Sequence, residues 1–367
     1  MKSEEIGFSS EGYQQACNIL QSAVDANELM GGVLQVSRGG PALPVFCCGR
    51  RELSQGVASV VADTIFLIAS ITKPIVCASV VKLIEQGQVR LDDRVVYFVP
   101  EFGNRGKDAV TVRHLLTHTS GLPDMLPENH GLRAKHTPLS EFVAQMCDLD
   151  LLFEPGTRIS YQSCGIAILG EIVERLEGRP LREVLHTLFF DPLGLADTSL
   201  GRLEDRRDRE SEILIPETSD GGGGGTDWDW NSDYWRNFGA PWGGLFTTAS
   251  DLTTLCQAFL FGGEVNETRV LSKATVRSMT GDQTSVMPDL PESEKSRQRW
   301  GLGWRLSDVS LYSDLVSPDT FGHSGATGTV AWMDPTTEVT CVILTNDPTG
   351  ARSVRPGVSD AVAAAVN

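Results

Sequence analysis

Phe66-Leu67-Ile68-Ala69-Ser70-Ile71-Thr72-Lys73 sets a hydroxyl and an amine three positions apart, where the chain turns apolar. Residues at i and i+3 share a helix face. The run Ile75, Val76, Cys77, Ala78, Val80, Val81, Leu83 and Ile84 predicts a buried helix that ends near Glu85-Gln86-Gly87. A lysine at the mouth of such a helix is desolvated, which pushes its pKa toward the range where it can accept a proton. A serine hydroxyl is a weak nucleophile until a neighbouring base takes its proton, and a helix N-terminus favours negative charge developing there. The pair reads as a nucleophile with its base; the plainer alternative is an N-cap serine followed by a surface lysine.

Two distant segments add to it. Tyr161-Gln162-Ser163 follows Phe153-Glu154-Pro155-Gly156-Thr157 and precedes an apolar helix from Cys164 to Leu176. His323-Ser324-Gly325 precedes the strand-like stretches Thr329 to Met333 and Val339 to Leu344. Taken in this order, Ser-x-x-Lys, Tyr-x-Ser and His-x-Gly resemble the serine β-lactamase and penicillin-binding-protein superfamily. The nearest branch holds class C β-lactamases, D-alanyl-D-alanine carboxypeptidases and family VIII carboxylesterases, and the motifs are most similar to the last. Leu115 to Leu122, Gly243 to Thr248 and Gly301-Leu302-Gly303-Trp304 also match landmarks of that superfamily, so the likeness runs over about residues 15 to 360. Ser163 stands where class C enzymes usually carry asparagine, and His323 where they carry the lysine of Lys-Thr-Gly. Both changes weaken the case for recognising a β-lactam carboxylate.

The resemblance implies roles. Ser70 would attack a carbonyl and carry the acyl group. Lys73 and Tyr161 would accept its proton as one unit. The backbone N–H groups of Ser70 and Ala326 would hold the oxyanion. His323 would shape the wall, bond the substrate's acyl or leaving group, or merely hold the strand edge. Ser163 would either donate to Tyr161 or Lys73 or cap the helix that follows, and Gly325 would let substrate approach the strand edge. No metal or organic cofactor is implied. The implied activity is that of a carboxylesterase or small-amide hydrolase. Alternatives are a β-lactamase or D-Ala-D-Ala-type peptidase, an acyltransferase, and a non-catalytic ligand-binding relative, against which intact Ser70, Lys73 and Tyr161 argue.

Composition agrees with a globular enzyme. A chain of 367 residues with 41% hydrophobic content can build a substantial core. With 31 basic against 48 acidic residues, the net charge of −17 disfavours nucleic acid and anionic membrane surfaces as partners. A small-molecule ester, amide or β-lactam is the expected partner, and composition leaves the oligomeric state open. Met1 to Gly7 lacks the apolar core of a signal peptide, and no stretch reaches the length needed to span a bilayer, so a soluble cytoplasmic protein is expected. The eight cysteines show no Cys-x-x-Cys and read as buried free thiols.

Hydrophobic periodicity predicts a helix over Ser10 to Glu28, strands at 32–37 and 45–48, helices from Ser70 to about Glu177, and further helix from Leu181 to Phe190. Residues 203–215 are charged and irregular, and Gly221 to Gly225 is a flexible breaker. Trp228, Trp230, Tyr234, Trp235 and Trp242 then crowd into fifteen positions, as a packed patch or as a lid or pocket wall. Helices are predicted over 250–261 and 271–279, strands resume near Trp304, and a last helix covers Val358 to Val366. The fold class is α/β of the α+β type: an antiparallel sheet flanked by helices. Residues 1–62 and 238–367 make up a discontinuous sheet region, residues 63–237 an inserted, mainly helical region with the Gly/Trp-rich loop, and the active site lies between them. His118 and Ser120 resemble a catalytic pair but read as a structural turn. His114 and His118 have a zinc-like spacing without a third ligand.

Overall fold

The computed structural model describes residues 1–54, 58–217 and 222–367; Gly221 of the expected breaker lies outside the described residues. Helix α1 (Ser10–Asp25) leads into strands β1 (Gly31–Arg38) and β2 (Phe46–Gly49). The remaining strands of the large sheet come from the C-terminal third: β3 (Arg299–Trp300), β4 (Arg305–Leu306), β5 (Phe321–Gly325), β6 (Thr329–Asp334) and β7 (Val339–Thr345). Their order is β2-β1-β7-β6-β5-β4-β3, antiparallel throughout. The first and last parts of the chain meet at β1 and β7, where Val33 faces Leu344 and Val36 faces Cys341.

The central strands carry buried residues without alternation, as expected of a sheet covered on both faces. Five further helices matter here: α2 (Thr72–Glu85), α3 (Cys164–Glu177), α4 (Asp233–Phe238), α5 (Ala249–Leu260) and α6 (Pro348–Ala364). One apolar cluster joins α1 and α6 to one face of the sheet through Leu20, Val36, Trp332, Ile343, Val358 and Val362. A second and larger cluster joins the other face, through Val33, Ala331 and Val342, to α5, α2 and α3. Among the described residues no helix is long and apolar enough to cross a membrane.

Two expectations are corrected. The last helix begins at Pro348, ten residues before the predicted start. Pro348 and Gly350 read as breakers, yet a proline is tolerated in a first helical turn, and Asp347 caps the Thr349 and Gly350 amides at 3.1 and 3.0 Å. Buried Ala351, Val354, Val358 and Val362 recur at helical spacing, so packing outweighs the interior Pro356. Secondly, a small three-stranded sheet of Phe66–Leu67, Leu245–Thr247 and Ser199–Leu200 has no counterpart in the sequence reading. It brings the Gly243 turn beside the start of α2, where Leu245 N–H donates to Thr72 Oγ1 at 3.1 Å.

Candidate active site

Ser70 lies in a 3-10 turn, Ala69–Ile71, that runs into α2. Ala69 before it has φ 45°, a left-handed conformation that costs an alanine about 1 kcal/mol or more and turns the chain sharply at the serine. Thr72 Oγ1 donates to the Ala69 carbonyl at 2.6 Å and fixes that turn. One helical turn on, Lys73 is 1% exposed. Its Nζ donates to Ser70 Oγ at 3.0 Å and to the Trp242 carbonyl at 2.9 Å. Burial drives its pKa down to about 8, and the nearby Asp124 carboxylate opposes the fall. Both sequence-predicted partners of the first motif therefore meet.

Tyr161 reaches the same point from the loop before α3, with the Lys73 Nζ 4.7 Å from its ring centroid. Burial raises its pKa, and only a hydrogen bond with Ser70 and the Arg305 charge act the other way. The phenol therefore stays protonated at neutral pH. His118 packs on Tyr161 at 4.9 Å and on Trp300 at 4.3 Å, centroid to centroid, while its Nδ1 accepts from the Gln162 N–H at 3.2 Å. Ser120 Oγ donates to Gln162 Oε1, and Gln162 Nε2 donates to the Leu115 carbonyl at 3.3 Å. These groups are spent holding the Tyr161 loop. His114 Nδ1 accepts from the Thr111 N–H at 3.2 Å and closes a helix cap.

His323 on β5 stands across from Tyr161, ring centroids 6.0 Å apart. Its Nδ1 lies 2.7 Å from the Ser324 carbonyl, which can only accept, so Nδ1 carries the proton and Nε2 is bare. Burial first, then the Lys73 charge, push its pKa down to about 3. It is a neutral wall where a lysine would have been a cation.

Two supporting residues depart from expectation. Ser163 Oγ neither bonds Tyr161 or Lys73 nor caps α3; it donates to Asp124 Oδ1 at 2.7 Å. The acceptor lies thirty-nine positions upstream, which no local pattern could reveal. Gly325 makes room for the protein's own backbone: a Cβ there would sit 2.2 Å from the Ile68 carbonyl oxygen and 2.3 Å from Thr329 Oγ1.

The site opens in two directions. An inner chamber of about 170 Å³ is lined by Ser70, Lys73, Asp124 and Tyr161 and walled by Trp230, Trp235 and Trp242. The tryptophan cluster is thus pocket wall as well as packing. Arg236 secures it, donating to the Trp230 carbonyl at 3.3 Å and pairing with buried Glu210, so the charged 203–215 segment has a structural use. The outer cleft, about 670 Å³, is lined by Ser70, Tyr161, His323, Gly325 and Ala326, together with Arg305, Arg352 and Arg355. Asp124 and these arginines were missed by the sequence reading. The spacing of Asp124 to either motif carries no signal; Arg305 falls where strands are predicted to resume, and Arg352 and Arg355 lie ahead of the predicted start of the last helix.

Fold and comparisons agree on the class. The beta-lactamase family model matches residues 19–364, and the chain belongs to that family, with its serine-hydrolase fold. The chain is 27% identical over 294 residues to a putative D-alanyl-D-alanine carboxypeptidase of Escherichia coli K12, covering 73% of this chain and 65% of that one, just under two thirds of its length. It is 33% identical over 204 residues, 52% of each chain, to the esterase EstB of Burkholderia gladioli. In fold it superposes with TM-score 0.78 on EstCE1, described as a hydrolase with promiscuous acyltransferase activity, at 22% identity over 96% of this chain and 99% of that one.

Proposed function

We propose that the protein is a serine hydrolase that cleaves esters or small amides through an acyl-enzyme at Ser70. The observation that carries this is the buried contact of Lys73 Nζ with Ser70 Oγ at 3.0 Å. An amine whose pKa has dropped to about 8 is partly neutral near physiological pH. In that state its lone pair takes the Ser70 proton as Oγ bonds to the carbonyl carbon. The carbonyl electron pair moves onto oxygen, facing the N–H groups of Ser70 and Ala326. Collapse breaks the bond to the leaving group, which receives the proton from Lys73 through the Tyr161 hydroxyl. Water then repeats the sequence at the acyl carbonyl and restores Ser70.

Esters with short acyl groups fit the small tryptophan-walled chamber, and the likeness to EstB supports the same substrate class. Neutral His323 leaves the strand without the cation that the β-lactam-binding motif supplies. A second reading, β-lactamase or D-Ala-D-Ala-type peptidase, is favoured by one observation: among the described residues three arginines and no acid line the outer cleft of an acidic chain, a setting for a substrate carboxylate in which Arg305 is already paired with Asp308 and Arg355 donates to the Thr329 carbonyl. Turnover of p-nitrophenyl butyrate tests the proposal. Ser70→Ala should abolish it with the fold intact, and a mutant as active as the parent would refute it.

A further inference from the structure

Among the described residues, Asp124 is the one acidic side chain lining the inner chamber. It is held from two sides. Its carboxylate accepts from Ser163 Oγ at 2.7 Å, and its carbonyl accepts from the N–H groups of Ser163 and Cys164 at 2.9 and 3.0 Å. The turn that carries it is thereby fastened to the loop of Tyr161 and to the start of α3. We propose that Asp124 is a positioning residue for the Ser70–Lys73 pair: locked in place by Ser163, its charge keeps the buried Lys73 amine able to take up a proton. The inference rests on the assignment of Lys73 as the base.

The physical need is plain. A lysine with no route to water loses its ammonium form, and an amine that cannot hold a proton can neither accept one from Ser70 nor return it to the leaving group. Several groups share the space. Cys77 lies one turn along α2, Cys164 on α3, His118 on the preceding turn, Tyr161 on its loop, His323 on β5 and the Trp242 carbonyl on the Gly243 turn. Arg305 on β4 adds positive charge to Tyr161, His118 and His323, and the buried Arg133 lines the same chamber. The thiols are held protonated by burial, and the histidines are kept neutral by it. Among the described residues of the chamber, Asp124 is thus the source of negative charge, and Ser163, where class C enzymes usually carry asparagine, supplies the hydroxyl that fixes it.

Asp124→Asn keeps the acceptor for Ser163 and removes the charge. The Lys73 titration is followed by NMR of ε-13C-labelled lysine, its signal assigned with Lys73→Ala, beside the pH profile of kcat/KM for p-nitrophenyl butyrate. The expected result is a Lys73 midpoint lower by about one pH unit or more in Asp124→Asn, with the acid limb of the profile moving down by the same amount. An unchanged Lys73 midpoint overturns the inference. A midpoint that falls while the acid limb stays put upholds Asp124 as the source of the effect and removes Lys73 as the base. Ser163→Ala, which loosens the carboxylate without removing it, should give a smaller shift in the same direction. If Asp124→Asn does not fold, an unchanged midpoint in folded Ser163→Ala overturns the inference.

Discussion

The Lys73 amine lies over the face of Tyr161, 4.7 Å from the ring centroid, and the two share one water-poor space beside Ser70. Burial moves them in opposite directions: the amine down to about 8, the phenol up. Neighbouring groups driven apart in this way divide acid and base work between them. The amine suits the base, and the phenol suits a donor that stays protonated and passes protons on. A shared role for the two thus takes on a direction, from Ser70 to Lys73 and through Tyr161 to the leaving group.

Groups that act as one unit are not additive. Lys73→Ala, Tyr161→Phe and the double mutant should each lose several powers of ten in kcat on p-nitrophenyl butyrate, with KM little changed. The double mutant should fall no further than the worse single mutant. Losses that multiply in the double mutant would show two independent contributions.

The pH dependence follows from the sign of the Lys73 shift. With Lys73 as the proposed base the active form is the neutral amine, so kcat/KM should rise with pH and level off above about 8, where Lys73 has lost its proton. His323, pushed down to about 3, is neutral throughout that range, so His323→Ala should leave the acid limb in place. A pH profile in which His323→Ala erases the limb while Tyr161→Phe stays near normal would make the histidine the base.

Substrate choice is read from the replaced cation. With neutral His323 in the third motif, short-chain ester cleavage should exceed nitrocefin hydrolysis by orders of magnitude in kcat/KM. Loss of a charged partner in a desolvated site is worth about 2–5 kcal/mol. Parallel assays decide the matter, and comparable rates would favour the arginine-lined cleft as a β-lactam carboxylate site.

Gly325→Ala tests what that glycine is for. Its added methyl would meet the Ile68 carbonyl, so the expected outcome is a loss of about 1–3 kcal/mol in stability and a lower Tm by calorimetry, along with lower activity. Lower activity at an unchanged Tm would return the glycine to a role in substrate approach.

Much of this was legible in the chain itself. The apolar run after Lys73 and the continuous apolar strands near both ends carry local signals that predict the buried helix and the sheet, and the ordered motifs, through the family they resemble, predict the meeting of Ser70, Lys73 and Tyr161. What stayed hidden is non-local. Ser163 finds Asp124 across thirty-nine positions, and the Trp242 carbonyl finds Lys73 once the Gly243 turn has folded back through the small sheet. The start of α6 was hidden for another reason: Pro348 and Gly350 are penalised by local propensity but reprieved by the Asp347 cap and the buried stripe of Ala351, Val354, Val358 and Val362.

The central claim is that Ser70 is the residue that becomes acylated. Incubating the protein with a fluorophosphonate, then comparing intact mass and mapping the modified peptide, tests it directly. One adduct per chain on the peptide containing Ser70, absent from Ser70→Ala and slowed in Lys73→Ala, is the predicted result. An adduct on another serine, or equal labelling of Ser70→Ala and the parent, would contradict it.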